Sequence, residues 1–354
     1  MKDLTKFLQD HLRSDGQLLP ILFRTLKQLR KEGRWEELLS RELQHKLKVK
    51  SEEDKETRAK YLHPSSLSGC ELAVIYKFLQ APKLAFVDPA AEFSFEVIVK
   101  GGDMIHLLLQ TLAKYSPIQC QSELPFRYAP MRMEGHSDQE IDIGEGLEIG
   151  EWKSSNEYTH KKMKAAKEEH IEQAHCYYIG RKYGMGADIR RFRFIYVTRD
   201  FGNAQEFVVN VDPKILDKLK RKAERIIDCV AESKLIPRPF TDPTSNPCKF
   251  CPYMGVCWNP RLKKEFEKNL EPGKFKVHEF TPQIIKASEE KEAVRKALVR
   301  FRRAGNLKAS GTPRNTRAEL GSGPSKNNSQ RRSRHSTENA REVPRSYGIL
   351  VSLL

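Results

Sequence analysis

The stretch that most constrains the fold is GHSDQEIDIGEGLEIGEWKSSN, residues 135–156. It reads as two short strands joined by a turn at Gly144-Glu145-Gly146. In the second strand, about Leu147 to Ser154, the two-residue side-chain period puts Leu147, Ile149, Glu151 and Lys153 on one face. That face begins apolar, as a core-facing strand should, and ends with a carboxylate beside an ammonium. The preceding strand adds Asp138. Any account of the chain has to say why a core-facing strand finishes in charge.

The surrounding pattern is that of a mixed α/β body over residues 61–300. A helix is expected after Ser68, carrying Cys70, and another from about Glu96 to Lys114, carrying His106. A strand covers about Ile118 to Tyr128, followed by the hairpin and a long helix from about His160 to Tyr183. The segments RRFRFIYVT (190–198) and AQEFVVNV (204–211) are rich in Phe, Ile, Val and Tyr and read as strands. A helix from Pro213 to about Ser233 closes the core, and a proline-rich connection leads to a cysteine cluster. Residues 1–60 form a helical, charged N-terminal region, broken near Gly33 and ending in a polar linker. Residues 301–354 form a basic low-complexity tail, expected to be disordered because it is poor in apolar residues. No internal repeat is found.

The formal net charge is +16, which suits an anionic partner such as nucleic acid. The charge is uneven: residues 300–354 hold 12 Lys/Arg against 3 Asp/Glu, so the body is only moderately basic. No apolar run approaches the ~20 residues of a membrane span, and no signal peptide is visible. The expectation is a cytoplasmic protein with no membrane partner, its seven cysteines reduced or metal-bound rather than paired in disulfides.

Two carboxylates on adjacent strands, Asp138 and Glu151, can hold one hard divalent cation such as Mg²⁺ or Mn²⁺. Such a cation polarises a phosphodiester oxygen and acidifies water, and Lys153 can orient that water or stabilise developing negative charge. A surface Glu–Lys pair is the plain alternative; the apolar start of the face and the arrival of Asp138 argue against it. Asp142 is the alternative metal aspartate if the register differs, and Glu123, in the strand before the hairpin, is a further carboxylate candidate. His106 reads either as a satisfied core histidine or as a metal ligand, and an imidazole would favour Mn²⁺ somewhat. Gly101-Gly102 would permit close backbone approach at the start of its helix. Gln173 and Tyr177 share a helix face, and Lys161, Lys162, Lys164 and Lys167 form either a phosphate-contacting run or a solvated face. Cys248-x-x-Cys251 with Cys257 is a compact three-thiol clamp, for which Cys70 is the candidate fourth ligand. Three clustered cysteines and one remote one suit a [4Fe–4S] cluster better than structural Zn²⁺. Phe250, Tyr253, Met254 and Trp258 would shield it.

In order, Gly102-x-x-x-His106, Gly135-x-x-Asp138, Glu151-x-Lys153 and Gln173-x-x-x-Tyr177, with Cys70, Cys248, Cys251 and Cys257, resemble the PD-(D/E)XK nuclease superfamily. The resemblance is greatest to its RecB/AddB-like branch, including the CRISPR-associated RecB-like exonucleases with an iron–sulfur cluster. It implies a restriction-endonuclease-like α/β core with a mixed central sheet flanked by helices. It further implies metal binding by His106, Asp138, Glu151 and the backbone carbonyl of Trp152, assistance from Lys153, and DNA positioning by Gln173 and Tyr177. The implied activity is a metal-dependent DNA exonuclease acting at DNA ends in recombination, repair or DNA processing. A DNA-binding or accessory subunit, active only with a helicase or recombination partner, is the alternative; no Walker A motif is present, so any helicase would be another chain. On this reading the core face becomes an active site where the strand emerges into a cleft.

Overall fold

The computed structural model describes residues 17–52, 60–83, 89–199, 203–244 and 247–281, and the positions 286, 290 and 293. The expected basic tail over 301–354 and most of the polar linker before residue 60 lie outside the described residues. The chain divides into two compact units, Met1–Glu292 and Ala293–Leu354, and the elements below all belong to the first.

In chain order the helices and strands are α1 (Leu18–Lys31), α2 (Trp35–Glu52), α3 (Pro64–Leu67), α4 (Glu71–Phe78), α5 (Pro89–Lys114), β1 (Gln119–Tyr128), β2 (Met133–Asp142), β3 (Leu147–Ser155), α6 (Glu157–Lys162), α7 (Glu168–Tyr178), β4 (Ile189–Thr198), β5 (Ala204–Asn210), α8 (Pro213–Ala231), α9 (Met254–Trp258) and α10 (Pro260–Lys268). The five strands form one sheet in the order β1-β2-β3-β4-β5. β3 and β4 are parallel and the other neighbours antiparallel, so the sheet is mixed. A parallel pair needs a long crossover, and the segment carrying α6 and α7 supplies it.

Strand alternation sends apolar side chains to both faces. Ile149, Phe192, Phe194 and Tyr196 pack with α7 and with Leu216, Leu219 and Ile226 of α8. Ile141, Trp152 and Ile195 point the other way, into a layer built from Leu18, Leu19 and Leu22 of α1 with Ile105, Leu109 and Leu112 of α5. The result is a restriction-endonuclease-like core of helix, sheet and helix. α8 shows how sequence sets its start: the Asp212 side chain accepts from Lys214 N at 2.8 Å, and Pro213 occupies the first turn. α1 begins differently. Its first N–H groups, of Leu18 and Leu19, donate to the Glu206 carboxylate of β5 at 3.2 and 3.0 Å. The sheet itself satisfies donors that a helix start leaves open.

Two local expectations need correction. The single helix over 160–183 is two: α6 ends at Lys162, Met163 is extended (ψ 120°), and α7 starts at Glu168. The intervening Lys161, Lys164 and Lys167 would be like charges three apart in a continuous helix, whereas Glu168-Glu169 favour a helix start. The second concerns Gly101-Gly102, inside α5, which make no close approach. A Cβ at Gly101 would meet nothing within 4 Å, and one at Gly102 only Ser154 Oγ at 3.6 Å. Among the described residues no helix is long and apolar enough to cross a membrane.

Candidate active site

The site is built by a fork in the sheet. β2 and β3 pair from Asp142↔Leu147 to Gln139↔Gly150 and no further. Beyond that point β2 stays with β1, through Ser137↔Leu124 and Gly135↔Phe126. β3 stays with β4 as far as Ser155↔Thr198. The first residues past the split are Asp138 and Glu151, so the two carboxylates face each other where the backbones separate. Gly135 is needed here for a packing reason: a Cβ would stand 2.9 Å from Pro64 Cδ and 3.0 Å from Phe126 Cζ. The glycine of the Gly135-x-x-Asp138 pattern thus lets α3 press on the diverging strand.

Asp138, Glu151, Lys153 and His106 converge at the fork. Lys153 Nζ lies 2.5 Å from Glu151 Oε2 and 4.0 Å from Asp138 Oδ2. His106 Nδ1 lies 3.6 Å from Asp138 Oδ2. Glu151 is fully buried, and the polar group that answers it is the Lys153 ammonium, which Asp138 shares from 4.0 Å. Asp138 Oδ2 is buried and accepts no hydrogen bond. Burial raises the Glu151 pKa, and Asp138 raises it further against the opposing pull of Lys153. Burial disfavours the Lys153 ammonium, but Glu151 and Asp138 outweigh it and its pKa is raised. Burial, partly opposed by Asp138, lowers the His106 pKa, leaving the neutral imidazole that a metal requires.

Two carboxylates facing one ammonium leave negative charge that a bound cation would answer. Asp138, Glu151 and His106 offer two hard oxygen donors and one imidazole, which fit Mg²⁺ or Mn²⁺. Among the described residues no group of three or more His, Cys, Asp or Glu is already arranged as a metal site.

α7 lays a polar stripe across the fork. Gln173 Oε1 accepts from Lys153 Nζ at 3.2 Å, and Gln173 Nε2 donates to the Tyr177 hydroxyl at 2.6 Å. The amide thus joins the lysine to the tyrosine. Burial pushes the Tyr177 pKa up, with further contributions from Asp138 and Glu151. One turn earlier, His170 extends the stripe, a residue the sequence reading passed over. The Tyr196 hydroxyl accepts from Lys167 N–H at 3.1 Å and shares a hydrogen bond of 2.7 Å with His170 Nδ1. The His170 pKa is pushed down to about 3 by burial and by the Lys153 and Lys167 ammoniums. The available signal was the spacing of 170, 173 and 177 on one helix face.

The remaining candidates divide. Glu123 is brought close: at φ +51° it interrupts the β1–β2 ladder without shifting its register, and Gln110 Nε2 bridges its carboxylate (3.0 Å) and the Asp138 carbonyl (3.3 Å). Asp142 is not brought to the fork. Its Oδ1 accepts from Gly144 N at 2.8 Å and Gly146 N at 3.3 Å, holding the turn whose two glycines both have φ +103°. Trp152 turns its indole away, with Nε1 donating to Gln139 Oε1 at 3.1 Å. Lys161 and Lys162 lie on α6, where Lys161 pairs with Glu157 and Lys162 bonds the exposed Tyr158.

The four clamp cysteines meet in a second place. Cys70, Cys248, Cys251 and Cys257 line one cavity of about 460 Å³, whose walls include Tyr76, Phe250, Met254 and Trp258. Tyr253 packs in the apolar cluster beside it. Cys70 is the residue just before α4, not within it; the Leu72 and Ala73 N–H groups face its thiol and offset part of the pKa rise caused by burial. The Cys257 pKa is pushed up to about 11 by burial, with Cys70, Cys251 and Cys248 adding to the rise against Arg238. Four mutually influencing thiols with N–H groups turned towards them fit a thiolate-ligated group. Cys176 and Cys229 are buried elsewhere in the core, and Cys120 is half-buried.

The sequence matches the family described as the PD-(D/E)XK nuclease superfamily over residues 17–258. No curated protein matches it. Among solved structures it is similar to the crystal structure of SSO0001, at 19% identity and a TM-score of 0.38, over 63% of this chain and 94% of that one. It is also similar to an alkaline exonuclease (LHK-Exo) from Laribacter hongkongensis, at 11% identity and a TM-score of 0.31, over 49% of this chain and 88% of that one.

Proposed function

The chain belongs to the PD-(D/E)XK nuclease superfamily, and from that premise we propose that it is a metal-dependent deoxyribonuclease hydrolysing phosphodiester bonds at DNA ends. The observation that carries the reading is the fork: a buried carboxylate, Glu151, and a half-buried one, Asp138, share one half-buried ammonium beside a neutral imidazole. Asp138, Glu151, His106 and the Trp152 carbonyl would hold Mg²⁺ or Mn²⁺. When bound, the ion supplies positive charge to a phosphodiester oxygen and makes water a better acid.

The chain's own groups do the rest. Lys153, held by Gln173 at 3.2 Å, keeps its ammonium at the fork, where it orients the attacking water and faces the charge that grows on phosphate. Tyr177 fixes Gln173 from behind and leaves its own hydroxyl proton free to be donated. His170, bonded through Nδ1 to the Tyr196 hydroxyl, continues the same stripe one turn earlier.

We further read the chain as a member of the RecB/AddB-like branch, with Cys70, Cys248, Cys251 and Cys257 holding a [4Fe–4S] cluster. Their common cavity supports this, and metal analysis distinguishes the cluster from zinc. The test of function is cleavage of end-labelled single- and double-stranded DNA by anaerobically purified protein with Mg²⁺ or Mn²⁺. Cleavage abolished by Lys153→Ala and by chelation is expected, and the product ladder gives polarity. DNA binding without cleavage under either ion would overturn the stand-alone enzyme and favour a binding or partner-dependent subunit.

A further inference from the structure

We propose that the Tyr76 hydroxyl is a built-in hydrogen-bond donor to the group held by Cys70, Cys248, Cys251 and Cys257; this rests on reading their cavity as a thiolate-ligated site. Tyr76 stands on α4, six residues after Cys70, the clamp cysteine that immediately precedes that helix. The side chain is 1% exposed and lines the same cavity as the four thiols. Its ring is held by Tyr253 and Phe266, with centroids 5.9 and 5.8 Å away. Its hydroxyl has no hydrogen-bond partner.

A buried tyrosine oxygen normally finds a partner. Here the surroundings explain the vacancy. Cys70, Cys251 and Cys257 pack against the apolar cluster that holds Tyr76. A protonated thiol is a poor acceptor, whereas a metal-bound thiolate or a bridging sulfide is a good one. The nearby cation does not compete for the role. Arg238 donates to the Cys257 carbonyl at 3.2 Å and lies over the Trp258 ring at 3.8 Å. Hydrogen bonds to cluster sulfurs are one of the levers that set reduction potential. Tyr76 is therefore a positioning residue that favours the reduced cluster and retains it.

The test compares the full chain with Tyr76→Phe, which keeps the ring and removes only the hydroxyl. Both are purified anaerobically and analysed for iron, zinc and acid-labile sulfide, titrated reductively, and challenged with a chelator. Equal iron and sulfide are expected, with a more negative reduction potential in the variant and metal release faster by about tenfold, the size of one hydrogen bond to a charged acceptor. An intact cluster with the same potential and release rate in both proteins would overturn the proposal and leave the cluster reading standing. Zinc in the wild-type chain would overturn the cluster reading; faster zinc release from the variant then supports Tyr76 as a donor, and equal release overturns it. A wild-type chain that retains neither metal overturns both.

Discussion

Glu148 and Glu151 lie three residues apart on β3, on opposite faces of the sheet, and both are buried, at 1% and 0% exposure. Their surroundings differ completely. Glu148 accepts from Arg193 Nε at 2.6 Å, Arg193 NH2 at 3.1 Å and Arg191 Nε at 2.5 Å. Arg193 also bonds Glu206, which in turn receives the first N–H groups of α1. Every charge in that network is answered. Glu151 faces one ammonium, which it shares with a second carboxylate, Asp138. Burial of a carboxylate is thus not what marks the site. The mark is an excess of carboxylate over cation, at the point where the β2–β3 fork leaves room for a ligand to answer it.

The largest effect that tests this contrast is on the satisfied side. Arg193→Ala strips donors from Glu148 and Glu206 together and should cost about 3–5 kcal/mol of stability, measured by urea unfolding. A loss under about 1 kcal/mol would mean the two carboxylates are equally well tolerated and the contrast is false. On the other side of the sheet, Lys153→Ala should lower kcat by about 10²–10³ in cleavage of end-labelled DNA. Retained cleavage would remove Lys153 from the chemistry.

A gain of stability sharpens the comparison further. Asp138→Asn leaves one carboxylate for the one ammonium, and metal-free protein should gain about 0.5–2 kcal/mol. Mg²⁺ or Mn²⁺ at a hundred times its Kd should stabilise the wild type by about 2.7 kcal/mol and the variant much less. Thermal melts with and without the ion read both effects, and equal stabilisation of the two proteins would refute Asp138 as a ligand.

The smallest effect concerns His170. Its folded pKa, pushed down to about 3, lies below the ordinary ~6.5 of an unfolded chain. The folded protein therefore binds fewer protons, and the contribution to stability present above pH ~6.5 is lost as pH falls towards 3, at up to about 1.4 kcal/mol per pH unit. His170→Gln should remove that part of the slope. Identical slopes in the two proteins would show that the imidazole is not held neutral by the stripe.

Much of the site was legible because its motifs are local. A period-two strand ending in Glu151-x-Lys153, after Gly135-x-x-Asp138 and a tight turn, carries its own geometry, and strand alternation alone puts Glu151 and Lys153 on one face. The cysteine spacing likewise pointed to one clamp. What escaped was set by neighbours far along the chain. The break between α6 and α7 has no proline or glycine to announce it, and His170 joins the stripe through Tyr196, 26 residues later. The bonds that Gln173 makes to Lys153 and Tyr177 are likewise set by how α7 packs on β3.

The sequence by itself determined which residues carry charge, thiol and imidazole, and which of them share a strand or helix face, because those relations follow from backbone periodicity. Only the tertiary structure decided which charges would be answered. It aligned Arg193 with Glu148 and Glu206 across three strands, parted β2 from β3 at Asp138 and Glu151, and left those two carboxylates one ammonium between them. Compensation of a buried charge depends on donors supplied by packing, and packing is not a local property of the chain.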